Sequence, residues 1–144
     1  MKKIKKIVIS ACELSADKYA ANIAIELKKL NPEVEIIGIG SQASNKAGID
    51  VRFDMSQLST VGIFEPIRFL PQLIYAYFRV RKLLAKEKPD LFIPIDNQGF
   101  HMMCCRHAKK RGIRTAYFIA PQEWHWGTAK GGQNVPRKFF EPYA

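Results

Sequence analysis

Short apolar runs of period two and longer segments of helical period take turns along this chain, and that alternation leaves few architectures open. "IKKIVIS" (Ile4–Ser10), "VEIIGIG" (Val34–Gly40), "IDVRF" (Ile49–Phe53), "LFIPI" (Leu91–Ile95) and "TAYFIA" (Thr115–Ala120) read as strands, the third of them at an edge. Between the first two, Tyr19, Ile23, Leu27 and Leu30 repeat at helical spacing from Ser15, and Asn31-Pro32 ends the helix. A short helix fits Gln42–Ala47. A long one fits Pro66–Lys86, with Phe69, Leu73, Tyr77 and Leu84 on one face, and Pro89 stops it. A fourth fits Phe100–Lys110, with Gly112 placed to turn the chain out of it. Strands alternating with helices predict an α/β fold: a Rossmann-like, mostly parallel sheet flanked by helices and joined by right-handed crossovers.

At 144 residues the chain is one domain's worth, with no internal repeat or low-complexity segment. The ordered unit is expected over 1–126, and 127–144, rich in Gly, Lys and Pro, reads as an irregular tail or the start of a linker. Twenty-three Lys and Arg against thirteen Asp and Glu give a formal charge of +10, which favours anionic partners. The basic start "MKKIKKIVIS" has too short an apolar stretch for a secretory signal, and no apolar run of membrane-spanning length occurs. Cys12, Cys104 and Cys105 make no disulfide framework, so reduced thiols and a cytoplasmic setting are expected.

In parallel sheets, ligands bind beyond the carboxyl ends of the strands. Four loops lie there: Ser10–Asp17, Gly38–Gln42, Asp96–Phe100 and Ala120–Gly127. The polar and unusual residues collect in them. Ser10, Ser15 and Asp17 stand at a strand-to-helix turn, where backbone N–H groups and the helix dipole favour an anion, although Ser15 and Asp17 also suit plain helix capping. "GIGSQ" suits close backbone approach to a ligand or a tight turn. Asp96, directly after a buried strand, could serve as a general base or cap the next helix. Glu123, Trp124, His125 and Trp126 offer aromatic faces and proton-carrying groups, or a hydrophobic plug.

Other site types find less support. His101, Cys104, Cys105 and His107 fall within seven residues, yet one helix cannot turn all four toward one ion, so no metal is expected. Basic residues cluster at Lys2–Lys6, Arg79–Lys82 and Arg106–Arg114 without a nucleic-acid module, so no nucleic-acid partner is expected.

Four motifs in order together resemble the N-terminal part of the lipid-A-disaccharide synthase family, over about Ile4 to Gly127. Ala11-Cys12-Glu13-Leu14-Ser15-Ala16-Asp17 is similar to the family's A-G-E-x-S-G-D turn, and "STVGIFEPIRFLP" carries its glycine and glutamate as Gly62 and Glu65. "KPDLFIPID" is similar to its K-P-D-x-x-x-x-I-D strand, and "APQEWHW" to its S-P-x-x-W-A-W loop. The resemblance implies the acceptor-side half of a GT-B glycosyltransferase, with the active site between two Rossmann-like domains. It implies inverting transfer of 2,3-diacylglucosamine from its UDP-sugar donor to an acylated glucosamine phosphate acceptor. No cofactor or metal is implied. Asp96 falls on the family's catalytic base, and Glu13, Ser15, Asp17, Gly62, Glu65, Trp124 and Trp126 would line the acceptor cleft. The long helix would sit at a membrane surface, peripheral at the inner face of the cytoplasmic membrane, where anionic lipid attracts its basic end.

The departures bear on this. Cys12 and Ala16 stand where the family has glycines, Gln98-Gly99-Phe100-His101 replaces its P-D-F-N, and Gly127 stands where an arginine commonly follows the second tryptophan. The donor-binding domain is missing, so the isolated chain is expected to be inactive without that domain or a partner chain carrying it. An inactive glycolipid- or membrane-binding remnant and a basic nucleotide-binding module are the alternative readings.

Overall fold

A computed structural model of the chain describes residues 3–54 and 66–119. Their elements run β1 (Lys6–Ala11), α1 (Leu14–Leu30), β2 (Glu35–Ile39), α2 (Gln42–Lys46), β3 (Asp50–Phe53), α3 (Pro66–Glu87), β4 (Leu91–Ile95), α4 (Gln98–Lys110) and β5 (Arg114–Thr115). All pairings are parallel, in the order β3-β2-β1-β4-β5, so the α/β expectation holds and β3 lies at an edge as expected.

Alternation along the strands divides the core into two layers, because successive side chains point to opposite faces. On one face Ile7, Ile9 and Ala11 of β1, Ile36 of β2, and Ile93 and Ile95 of β4 pack against the alanine stripe Ala16, Ala20 and Ala24 of α1. Those small residues, four apart, let the helix lie close to the sheet. On the other face Val8, Ile37, Ile39 and Phe92 meet Ala76, Val80 and Leu84 of α3 and Phe100, Cys104, Cys105 and Ala108 of α4. Each large side chain buried this way contributes about 1.5–3 kcal/mol. Cys104 and Cys105 are therefore core residues, and Cys12 joins the same layer. No helix among the described residues is long and apolar enough to cross a membrane.

Most boundaries fall within one residue of the sequence reading, and β1 begins at Lys6 rather than Ile4; two further differences bear on the site. α4 begins two residues earlier than expected, at Gln98 rather than Phe100. The expected fifth strand, Thr115–Ala120, is a regular ladder only at Arg114–Thr115, followed by a bridge between Ile95 and Phe118. Pro94 supplies the reason. Its carbonyl faces β5 and accepts from Phe118 N at 2.9 Å, so its missing N–H falls on that side and leaves a gap in the β4–β5 ladder. α4 ends as expected: Gly112 has φ +69° and its N–H bonds Lys109 O at 2.9 Å.

Candidate functional site at the strand-order reversal

The chain runs outward from β1 through β2 to β3, then returns on the other side of β1 as β4 and β5. The loops leaving β1 and β4 thus part in opposite directions, and a crevice opens between them, where open α/β sheets bind ligands. Cys12–Glu13 forms one lip and Asp96–Asn97 the other.

Asp96 and Asn97 both adopt left-handed backbone, with φ +53° and +44°. Asp and Asn tolerate this region better than most residues, but two in succession need outside support. That support converges on the Asp96 carbonyl. Tyr117 Oη donates to it at 2.6 Å and His101 Nδ1 at 2.7 Å, while Asp96 N donates to Phe118 O at 3.1 Å. A carbonyl only accepts, so Nδ1 carries the imidazole hydrogen and Nε2 is left to accept. Ser10 Oγ stands 2.8 Å from Nε2 and donates to it, and Cys12 Sγ lies 3.4 Å away.

Burial fixes this cluster in its neutral forms. It pushes His101 down to about 4, against the opposing pull of the Asp96 carbonyl and charge. It drives the Tyr117 phenol well above its usual range and the Cys12 thiol up to about 12. The Asp96 side chain stands apart from these contacts: the residue is half-buried, and no hydrogen bond from the described residues reaches its carboxyl group. Asp96 does not cap α4. Asn97 occupies that position and makes no side-chain cap bond.

The other loop aspartate is spent on the protein itself. Asp17 is buried, and its carboxylate accepts from Ser41 N at 2.7 Å, Ala43 N at 2.9 Å, Ser44 N at 3.3 Å and the Ser44 hydroxyl. It thus binds the amino end of α2 rather than capping its own helix, whose N-cap is Glu13. The same contact explains "GIGSQ". A Cβ on Gly40 would stand 2.8 Å from Asp17 Oδ1 and 2.5 Å from Ser44 Oγ, so the glycine makes room for the carboxylate.

Of the remaining expected residues, Glu13 and Ser15 are exposed at the crevice lip on the β1 side. Gly62, Glu65, Trp124 and Trp126, with Glu123 and His125, lie outside the described residues. Cys12 and Ala16, which replace family glycines, are both buried in the core. Their Cβ atoms therefore pack inside the protein. Leu14, Tyr19, Phe118 and Ile119 are exposed at this same end, with the Tyr19 and Phe118 rings 5.9 Å apart. Among the described residues no cluster of three or more His, Cys, Asp or Glu could hold a metal ion. His107, weighed with His101 as a ligand, instead accepts from Arg111 Nε at 2.8 Å.

In the sequence His101 reads as a metal candidate and as a departure from the family pattern, and Tyr117 only as part of a strand; neither is assigned to the site. A signal for both existed. Ser10 and Tyr117 are polar groups near the ends of otherwise apolar strands, and strand parity turns Ser10 toward the α4 face.

Residues 7–136 match the family model described as Lipid-A-disaccharide synthetase. The chain belongs to that family. It is 36% identical over 121 residues to the lipid-A-disaccharide synthase of Xanthomonas campestris pv. campestris, covering 84% of this chain and 28% of that protein. With the synthase of Geobacter sulfurreducens it shares 33% over 125 residues, covering 87% of this chain and 33% of the relative. It therefore spans about a third of the length of these curated relatives. Among solved structures, a UDP-N-acetylglucosamine 2-epimerase superposes with a TM-score of 0.66 at 17% identity, over 99% of this chain and 40% of the epimerase. A second, from Neisseria meningitidis and bound to UDP-GlcNAc, gives 0.59 at 14%, over 94% and 38%. At these identities the likeness concerns the fold alone, and it agrees with the Rossmann-like parallel sheet described above.

Proposed function

We propose that this chain forms the acceptor half of an inverting glycosyltransferase that joins two acylated glucosamines in lipid A synthesis. In this reading the UDP-sugar donor is held by a second domain or a partner chain. Asp96 takes the proton from the acceptor hydroxyl as that oxygen attacks the anomeric carbon and UDP departs. One observation carries the assignment: at the reversal of strand order, a clamped backbone presents a carboxylate that no described protein group occupies. A general base must keep an open lone pair toward substrate while its main chain stays fixed.

Glu13 and Ser15 border the acceptor side, to which the family motifs also assign Gly62, Glu65, Trp124 and Trp126. Asp17 acts through the β2–α2 loop it holds. The exposed Leu14, Tyr19, Phe118 and Ile119 give an acylated sugar apolar surface to lie on. Along α3 the exposed Leu70, Ile74 and Phe78 form one stripe beside Arg81 and Lys82. Such a helix suits the interface of an anionic membrane, where the acylated substrates reside, at the inner face of the cytoplasmic membrane.

The test joins residues 1–126 to the remaining length of the Geobacter sulfurreducens relative and assays disaccharide formation. Turnover in this chimaera, lost in Asp96→Ala while acceptor binding persists, is the expected result. An Asp96→Ala chimaera of ordinary rate would remove the assignment.

A further inference from the structure

A second concave surface lies at the other edge of the sheet. The crevice of Asp96 opens beside β4, whereas this groove runs between the edge strand β3 and α3, with β2 and β1 intervening. It encloses about 210 Å³ and is lined by Arg52, Phe53, Arg79, Lys82 and Lys86, with Ile39 and Leu83 as its apolar floor and Glu87 at one end.

The charges around it do not balance. Arg52 is paired with Asp50 at 2.6 Å, and Glu87 with Lys6 at 3.1 Å. Asp50 is matched in this way, while Lys6 is shared between Glu87 and Glu35, and Glu87 also feels the charges of Arg52 and Lys86. Arg79, Lys82 and Lys86 have no ion-pair partner among the described residues, and helical spacing of three, four and seven puts them on one side of α3. Glu87 offsets only part of the lining's Arg52, Arg79, Lys82 and Lys86, and the repulsion among the remaining cations favours an added anion.

The guanidinium of Arg79 is also oriented in advance. It stacks 4.9 Å above the Phe53 ring and 5.9 Å from that of Tyr75. Stacking uses the guanidinium face and leaves its N–H edge for an acceptor, the fork geometry that matches phosphate. Lys82 and Lys86 add mobile point charges one helical turn apart. The volume is below that of ordinary nucleotide-sized pockets, so a phosphate or diphosphate group fits rather than a whole nucleotide.

We propose that the β3–α3 groove is a binding site for a phosphomonoester or diphosphate group, contacted by Arg79, Lys82 and Lys86. This site is distinct from the crevice of Asp96, with which it shares no residue, although Lys82 also borders the membrane-facing stripe of α3. Its phosphate comes either from a lipid headgroup or from a soluble phosphorylated compound.

The experiment titrates the 144-residue chain with inorganic pyrophosphate by calorimetry at low ionic strength. In parallel, the chain is sedimented with phosphatidylcholine vesicles with and without phosphatidic acid. The expected result is saturable 1:1 pyrophosphate binding, weakened at least tenfold in Lys82→Ala/Lys86→Ala and in Arg79→Ala. Lys109→Ala/Lys110→Ala, on α4, should bind as the parent does. Circular dichroism melts confirm that each variant is folded, and the exposed lysine pair keeps the test valid should Arg79→Ala unfold. Phosphatidic-acid-dependent sedimentation that weakens with the groove variants and yields to pyrophosphate identifies a lipid headgroup as the source. Loss of pyrophosphate binding with vesicle binding unchanged identifies a soluble phosphate compound. Absence of saturable binding, or equal weakening by the α4 control pair, would overturn the proposal and leave only a diffuse basic surface.

Discussion

Asp17 and Asp96 each follow a central strand of one sheet, within a few residues of its carboxyl end, and they are used in opposite ways. Asp17 surrenders its carboxylate to three backbone amides and a hydroxyl and is buried. Asp96 surrenders only its main chain, the carbonyl held by Tyr117 and His101. The difference teaches where a carboxylate is structural and where it is available: the deciding fact is which oxygen the protein binds. An aspartate clamped by its carbonyl can be aimed at a ligand. One clamped by its carboxylate cannot.

The sharpest way to break this contrast is to remove each side chain and compare stability. Asp17→Ala removes the shared acceptor of the Ser41, Ala43 and Ser44 amides and of the Ser44 hydroxyl, and a loss of about 3–5 kcal/mol is expected from several charge-assisted bonds failing together. Chemical denaturation measures it. A loss below about 1 kcal/mol would mean that water replaces the carboxylate easily and that the loop does not depend on it.

Asp96→Gly should behave in the reverse manner. Glycine accepts φ +53° without a Cβ penalty, so stability should hold or rise by up to about 1 kcal/mol. Disaccharide formation in the chimaera should nevertheless fall by about 10²–10⁴-fold, the usual contribution of a general base. A variant that is both less stable and still active would turn Asp96 into a second Asp17.

The third prediction concerns pH. Folding lowers His101 from its ordinary 6.5 to about 4, so below pH 6.5 the unfolded chain binds a proton that the folded chain refuses. The stability tied to neutral His101 is thus complete above pH 6.5 and is lost as the pH falls toward 4, by roughly 2–4 kcal/mol. His107 is lowered too, chiefly by burial, and acts in the same direction. Urea midpoints across this range should fall with acid, and His101→Asn should flatten much of that fall. If the acid arm is unchanged in His101→Asn, the imidazole is not the group responsible.

Much of the frame was legible because it depends on local pattern. The apolar run Ile7, Val8 and Ile9 and the stop at Asn31-Pro32 carry strand and helix end without reference to distant residues. The face of α1 was not legible in this way: Tyr19 and Leu30 of its apolar repeat are exposed, and the contact with the sheet falls on Ala16, Ala20 and Ala24. The strand-end loops could also be located, since strands precede them. What each loop residue does was not legible. Asp17 meets Ser41 across 24 positions, and Ser10 meets His101 across 91, contacts that no local period encodes. The short β5 ladder has a similar cause: Pro94 matters only because its N–H side faces β5 rather than β1. Polar residues at strand ends can be noticed in sequence, but which atom they bind depends on how β1 and β4 are brought side by side.

The smallest effect tests the clamp itself. Tyr117→Phe removes one of the two donors on the Asp96 carbonyl and leaves the ring in place. Because the phenol is held far above its usual range, it remains a donor at any working pH, and its loss should be independent of pH. His101 still satisfies the carbonyl, so the stability cost should be that of a single neutral hydrogen bond, about 1 kcal/mol. A clamp that aims the carboxylate should show itself more in the chimaera's kcat than in its KM, since the acceptor still binds while its hydroxyl meets the base less often in line. A change in stability with kcat untouched would show that Tyr117 only braces the strand end, and the aiming of Asp96 would then fall to His101 and the left-handed pair of residues alone.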